Sequence, residues 1–346
     1  MEIKTLGTMK NGEEDRLFTL NNSKGMKVEI HSFGAGIYKI ITPDRTGKYD
    51  DVVLGYANPD DYNGCDDYSG LVVGPVANRI NGSFTLGGET FTPAGDSETG
   101  IMLHTNGDMS FKNWDLVSYT ENRVVLSTDR KDSSQGLPGN IKATVTYTLT
   151  EDNELIIDYL ASTDRTSYIN LTNHVYFNLD GCAGGEIVGH LIKFESDYFV
   201  PTDKNSIPYG FLQSVENTPF DLRDFKKIED GIDNRECDQT VWGRGYDHSL
   251  EIRNYDGTLR LAATVKSEKS GRKLECFTTL PAVQFYTGNF LAGLEGKYGF
   301  KNNFRNGFCL ETQYHPDAVH HKDFVQPVFD ENNPYRSRTV YKFTAE

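Results

Sequence analysis

Apolar and polar residues alternate with a period of two in segments spread from one end of the chain to the other. This pattern restricts the fold more than any other feature. Between Ile141 and Leu149, IKATVTYTL places Ile141, Ala143, Val145, Tyr147 and Leu149 on one side and Thr144, Thr146 and Thr148 on the other. Successive side chains of a strand point to opposite faces, so this is the pattern of a strand buried on one face. A polar break over 151–153 and the returning run LIIDYLA predict a hairpin. Two further hairpins are predicted where turn dipeptides that tolerate positive φ separate such runs. Gly87-Gly88 lies between SFTL and ETFT, and Asp256-Gly257 lies between SLEIRNY and TLRLAATV. LECFTTL, AVQFYTG and TVYKFTA, rich in β-branched and aromatic residues, read as additional strands. Helical periodicity is weak and predicts only short helices over 58–62, opened by an Asn-Pro pair, and over 222–228. The fold class expected is all-β, a large antiparallel β-sandwich.

A chain of 346 residues exceeds the size at which one core usually stops growing. It nevertheless contains no Pro-, Gly- or Ser-rich linker, no repeat and no low-complexity tract, so residues 1–346 are expected to form a single domain. The formal net charge of −15 disfavours phosphate backbones and anionic lipid surfaces, which argues against nucleic-acid and membrane partners. No segment has the apolar length needed to span a bilayer, and the N-terminus has no basic stretch followed by an apolar one. Cys65, Cys182, Cys237, Cys276 and Cys309 are scattered without a CxxC pair, against both a disulfide framework and a thiolate zinc site. The cytoplasm is the expected compartment. Subunit number leaves no trace in the sequence.

Nucleotide-binding loops and a GxSxG nucleophile elbow are missing. His315, Asp317, His320 and His321 form a metal-like cluster, but their spacing fits no standard zinc pattern, and loop anchoring is the better reading. Five segments interrupt core-like runs with polar side chains: GPVANRING, IMLHTNGD, NLTNHVYFNLDG, GYDHSLEI and LETQYHPDA. Any one of them could be a structural group satisfying its hydrogen bonds; five together point to a site. Alternation in NLTNHVYFNLDG turns His174, Tyr176 and Asn178 to one side, offering a titratable ring, an amphipathic ring and an amide. Glu311 follows the apolar run FCL, where desolvation would raise its pKa toward the range of a general acid or base. Arg79 could pair with it or donate to a ligand's hydroxyls.

These segments, in this order, resemble those of the aldose 1-epimerase (galactose mutarotase) family. The pieces are Gly74-Pro75 with Asn78-Arg79-Ile80, Leu103-His104, the run NLTNHVYFNL, Asp247-His248, the stretch from Pro281 to Asn289, and LETQYHPDA. The resemblance implies a galactose mutarotase-like supersandwich that needs no cofactor and no metal and acts on a free monosaccharide. It implies His174 as general acid and Glu311 as general base, with Asn78, Arg79, His104, Tyr176, Asp247 and Gln284 holding sugar hydroxyls. Changing the anomer requires loss of the O1 proton and delivery of a proton to the ring oxygen, so one acid and one base suffice. The chain departs from the family at His104-Thr105-Asn106-Gly107, where paired glycines are usual, and in the tail VHHKDFVQPVFDENNPYRSRT. A glycoside hydrolase would need two flanking carboxylates, for which Asp247 and Glu311 are the candidates, and would leave His174 idle. A non-catalytic sugar-binding protein, or a mutarotase for a modified sugar, are the other readings.

Overall fold

In the computed structural model, which describes residues 3–346, three antiparallel sheets account for most of the regular structure. The first runs through Ile3–Thr8, Glu14–Asn21, Lys27–His31, Ile37–Pro43 and Tyr49–Asp51 in sequence order. The second has nine strands, with Ile141–Leu149, Glu154–Thr163 and Tyr335–Ala345 side by side near its middle. The third orders Gln213–Ser214, Tyr198–Phe199, Asp247–Glu251, Ala282–Tyr286 and Cys309–Gln313. One buried cluster draws on all three: Phe18 and Ile30 from the first, Val145, Ile157 and Tyr341 from the second, Leu250, Phe285 and Leu310 from the third. The chain is thus an all-β sandwich, its apolar strand faces buried against one another.

Local expectations fare unevenly. Ile141–Leu149 alternates buried and open as its sequence demands, and pairs in register with Glu154–Thr163. Gly87 and Gly88, at φ 59° and 85°, join Phe84–Leu86 to Glu89–Phe91. The segment 58–62 is a 3₁₀ turn over Pro59–Tyr62, with the Asn58 side chain accepting from the Asp60 N–H.

Two expectations are corrected. Asp256-Gly257 does not close a hairpin, because Asp247–Glu251 pairs with Ala282–Tyr286 in the third sheet. Arg260–Lys266 pairs with Arg272–Thr278 in the nine-stranded sheet instead. The chain changes layers at this corner, where the Arg260 guanidinium donates to the Arg253 and Leu280 carbonyls. No helix forms over 222–228. Lys226–Lys227 adds a short edge strand to Leu191–Phe194, and helices cover Glu229–Ile232 and Asp238–Trp242.

Burial of neutral histidines makes the fold acid-sensitive. Desolvation lowers His190 and His315 to about 4 and His248 to about 3. An unfolded histidine protonates near 6.5, so below that pH the unfolded chain takes up protons that the native chain refuses. Stability is therefore full above about pH 6.5 and falls toward pH 4, by about 1.4 kcal/mol per histidine per pH unit. The urea midpoint is expected to drop clearly between pH 7 and 4.5; an unchanged midpoint would contradict this.

Candidate active site

The third sheet supplies the floor of a cavity of about 460 Å³, within the ~300–1,000 Å³ typical of small-molecule sites. Strand Cys309–Gln313 is buried along its whole length. Its even residues pack inward: Leu310 joins the core, and its carbonyl accepts from the Tyr341 hydroxyl at 2.8 Å. Cys309 and Glu311 therefore share the opposite face, toward the cleft. The neighbouring strand repeats the arrangement, with Val283 and Phe285 in the core and Tyr286 on the cavity wall. Asp247 stands across from Tyr286 in the register of the next strand.

The other wall is built from two interlocked turns. The His104 N–H donates to the Asn78 carbonyl at 2.9 Å, and the Asn78 N–H donates to His104 Nδ1 at 3.1 Å. Thr105 Oγ1 donates to the Val76 carbonyl and accepts from the Val76 N–H, at 2.8 and 3.0 Å. His104, Thr105 and Asn106 hold φ near 50°, and Asn78 holds 63°. A positive φ is costly for a β-branched residue such as Thr105. Here the paired hydrogen bonds of its hydroxyl offset that cost. This is how the chain does without paired glycines after His104. Asn78 Oδ1 accepts from the Arg79 N–H at 3.0 Å and lies 3.4 Å from Arg79 Nη1. Arg79 makes no ion pair among the described residues and reaches the cavity as an open guanidinium.

His174 and Glu311 meet in the cleft, Nε2 to Oε1 at 3.5 Å, both nearly inaccessible. Glu311 Oε2 is buried with no hydrogen-bond partner. Desolvation first, then the Asp247 charge, pushes the Glu311 carboxyl well up, against a smaller opposing pull from Arg79. Desolvation lowers His174 to about 4. Burial thus favours the uncharged forms of both, a neutral imidazole facing a protonated carboxyl, and the pair shares one transferable proton. His104 also stays neutral, driven well down by burial and then by His174 and Arg79.

The donor atoms of His104, His174 and Glu311 lie within 4.8 Å of one another, a spacing that invites a metal ion. The tautomer of His104 opposes it. Its Nδ1 accepts the Asn78 N–H, so the ring proton of the neutral imidazole sits on Nε2, where the ligating lone pair would have to be. That nitrogen is a hydrogen-bond donor aimed into the cleft.

Asn78, Arg79, His104, His174, Tyr176, Asp247 and Glu311 all line the cavity. Gln284 does not reach the main cavity; its Nε2 donates to Asp247 Oδ1 at 2.7 Å and so orients that carboxylate from behind. Asn178 also leaves the site, donating to the Gly185 and Asn306 carbonyls. Regular pairing ends at Thr172–Asn173, so alternation does not extend that far. His248 turns away as well, accepting from the Asp247 N–H and donating to Gln239. In the His315–His321 segment, Asp317 accepts from the Asn81 N–H at 3.0 Å and pairs with His320 at 2.6 Å, tying this loop to the Arg79 strand.

Sequence reasoning passed over Tyr56, Asp67, Leu291 and Leu294, which complete the walls. Tyr56, Asp67 and Leu291 lie on irregular loops and Leu294 on the two-residue strand Leu294–Glu295, and none carries a periodic signal. Tyr286 was within reach, two residues beyond Gln284 in AVQFY. No helix among the described residues is long and apolar enough to cross a membrane.

Fold and cleft together define an antiparallel β-sandwich with a buried imidazole–carboxylate pair over a small-molecule cavity. Known proteins give this class its family. The sequence model for aldose 1-epimerase matches residues 16–342. The chain is 35% identical to the aldose 1-epimerase of Escherichia coli K12 over 340 residues, covering 97% of each. It is 39% identical to the galactose mutarotase of Rattus norvegicus over 328 residues, 93% of this chain and 92% of that protein. Among solved structures, an aldose epimerase homologue from C. elegans superposes with TM-score 0.87 at 28% identity, covering 96% of this chain and 99% of that one. Galactose 1-epimerase from Lactobacillus acidophilus NCFM gives 0.85 at 25% identity, covering 99% and 98%. The chain belongs to the aldose 1-epimerase family, and it is an isomerase.

Proposed function

We propose that this chain interconverts the α and β anomers of a free aldose of the galactose or glucose type, with Glu311 as general base and His174 as general acid. The observation that carries the assignment is the 3.5 Å approach of His174 Nε2 to Glu311 Oε1 in an enclosed cleft. The reaction needs two proton transfers at oxygens bonded to one carbon, and an acid and a base this close can serve both. Binding of the sugar places the shared proton on His174 and leaves Glu311 as carboxylate. Glu311 takes the O1 proton as the C1–ring oxygen bond breaks and the C1 carbonyl forms. His174 Nε2–H protonates the departing ring oxygen. Rotation about C1–C2 presents the other carbonyl face, and the two transfers run in reverse.

Arg79, His104 Nε2–H and the Asn78 amide nitrogen supply donors to the rest of the sugar, and Asp247 supplies acceptors. Tyr176, whose hydroxyl donates to the Asp67 carbonyl at 3.1 Å, gives an aromatic wall. The nearest partner of Glu311 is an imidazole and not a second carboxylate, which weighs against glycoside hydrolysis. We place the protein in the cytoplasm as one folded unit; its five unpaired cysteines are consistent with that.

Polarimetry on freshly dissolved α-galactose, α-glucose and other anomerically pure aldoses tests the reading. Acceleration over buffer supports it; no acceleration with any of them would end it. Gln284→Leu leaves Asp247 without its donor, so KM is expected to rise ~10-fold with kcat nearly unchanged. A loss confined to kcat would contradict this placement of Gln284.

A further inference from the structure

Cys309 and Glu311 leave the same face of one strand, and the His174 ring lies across both. Nε2 is 3.5 Å from Glu311 Oε1, and Nδ1 is 3.6 Å from Cys309 Sγ. Each ring nitrogen thus meets one side chain of Cys309–Gln313. We propose that Cys309 is a positioning residue for the acid: its sulfur accepts from His174 Nδ1–H and so fixes the tautomer whose Nε2 lone pair faces Glu311 and can take up and hand on the proton. This rests on the assignment of His174 as the acid.

Burial first, then the charges of Glu311, Asp67 and Asp247, push the Cys309 thiol well up, so its hydrogen stays on sulfur. The ring proton of the neutral imidazole then sits on Nδ1, with sulfur as its acceptor, and the Nε2 lone pair faces the Glu311 carboxyl. When the Glu311 proton passes to Nε2, His174 becomes imidazolium with hydrogen on both nitrogens, and sulfur still accepts from Nδ1–H. Nε2 then gives its proton to the ring oxygen as the C1–O bond breaks, keeping the N–H electron pair. On ring closure the proton returns to Nε2, so no proton is gained or lost overall. Sulfur is a weak acceptor, and it holds the imidazolium less firmly than the carboxylate that often backs a histidine. The acid stays strong for that reason. The other groups around the ring are His104, Tyr68, Tyr176 and Tyr286, with Asp247 and Arg79 in the same cleft. None of these side chains is hydrogen-bonded to Nδ1.

The test compares Cys309→Ser and Cys309→Ala with the unaltered enzyme by kcat, KM, the pH profile of kcat, and ¹⁵N NMR of His174 without sugar. Serine keeps a rotatable donor and acceptor, and a stronger one. It is expected to hold kcat within ~3-fold and move the acid limb to higher pH. Alanine is expected to lower kcat ~10-fold with KM within ~2-fold, and to turn a single Nδ1–H tautomer into a mixture. An alanine variant with unchanged kcat and an unchanged tautomer would overturn the proposal. So would equal losses in both variants with an unmoved acid limb, which is the signature of packing alone. His174→Asn checks the underlying assignment separately: near-complete loss of turnover supports it, and normal turnover would remove the acid. The sugar-free tautomer spectrum does not depend on that result.

Discussion

Glu311→Gln is expected to lower the anomerisation rate by ~10³–10⁴-fold while sugar binding stays measurable. The amide keeps the shape of the carboxyl but cannot take the O1 proton. Because the substitution removes an acid whose Oε2 is buried without a partner, it should leave the urea midpoint essentially where it was. Rate loss without stability loss separates a chemical role from a structural one. Initial rates by polarimetry, binding by calorimetry and one denaturation curve decide it. A variant that turns over normally would take Glu311 out of the mechanism, and one that unfolds would make the carboxyl a structural group.

Lys297→Met is expected to have the largest effect on stability. Lys297 and Asp51 are both buried, and Nζ lies 2.7 Å from Asp51 Oδ2. Asp51 Oδ1 accepts from the Ile40 and Val53 N–H groups at 3.2 Å each, and the Tyr298 hydroxyl donates to Oδ2 at 3.2 Å. Removing the ammonium strands the carboxylate in a site that cannot hydrate it, at a cost of about 3–5 kcal/mol. The segment from Phe290 to Leu294 walls the cleft and is followed directly by this buried anchor, so KM should rise as well. Lys297→Met with Asp51→Asn should recover much of the stability, since no charge is then left unpaired. Urea midpoints of the single and double variants measure this; a single variant within ~0.5 kcal/mol of the parent would contradict it.

What the sequence made legible followed from how each strand is buried. Ile141–Leu149 has one open face, so its alternation is written in threonines and can be read directly. Ala282–Tyr286 and Cys309–Gln313 are buried on both faces. There the apolar run hides which side chains face the cleft, and Cys309 reads as core although it meets His174. Asp256-Gly257 gives a turn signal, but turn chemistry is local and does not say which sheet each flank will join. Lys226–Lys227 pairs at a sheet edge that lies far away in sequence, a contact no propensity records. In the site, the segments on the sheet and on the two interlocked turns stood out because polar groups interrupted apolar runs, and the family resemblance then implied residues such as Asn78, His104 and Asp247 within them. Tyr56, Asp67 and Leu291 did not stand out, since a loop residue becomes a cavity wall only through tertiary placement.

The central claim is that protons move only between oxygen, His174 and Glu311, while every hydrogen on carbon stays in place. Proton NMR of an aldose at anomeric equilibrium in D₂O, with catalytic enzyme, tests it most directly. The expected result is magnetisation exchange between the α and β H1 signals, faster than in buffer, with full H1 and H2 intensity retained. Loss of H2 signal to solvent deuterium, or the appearance of a 2-epimer or ketose, would contradict it.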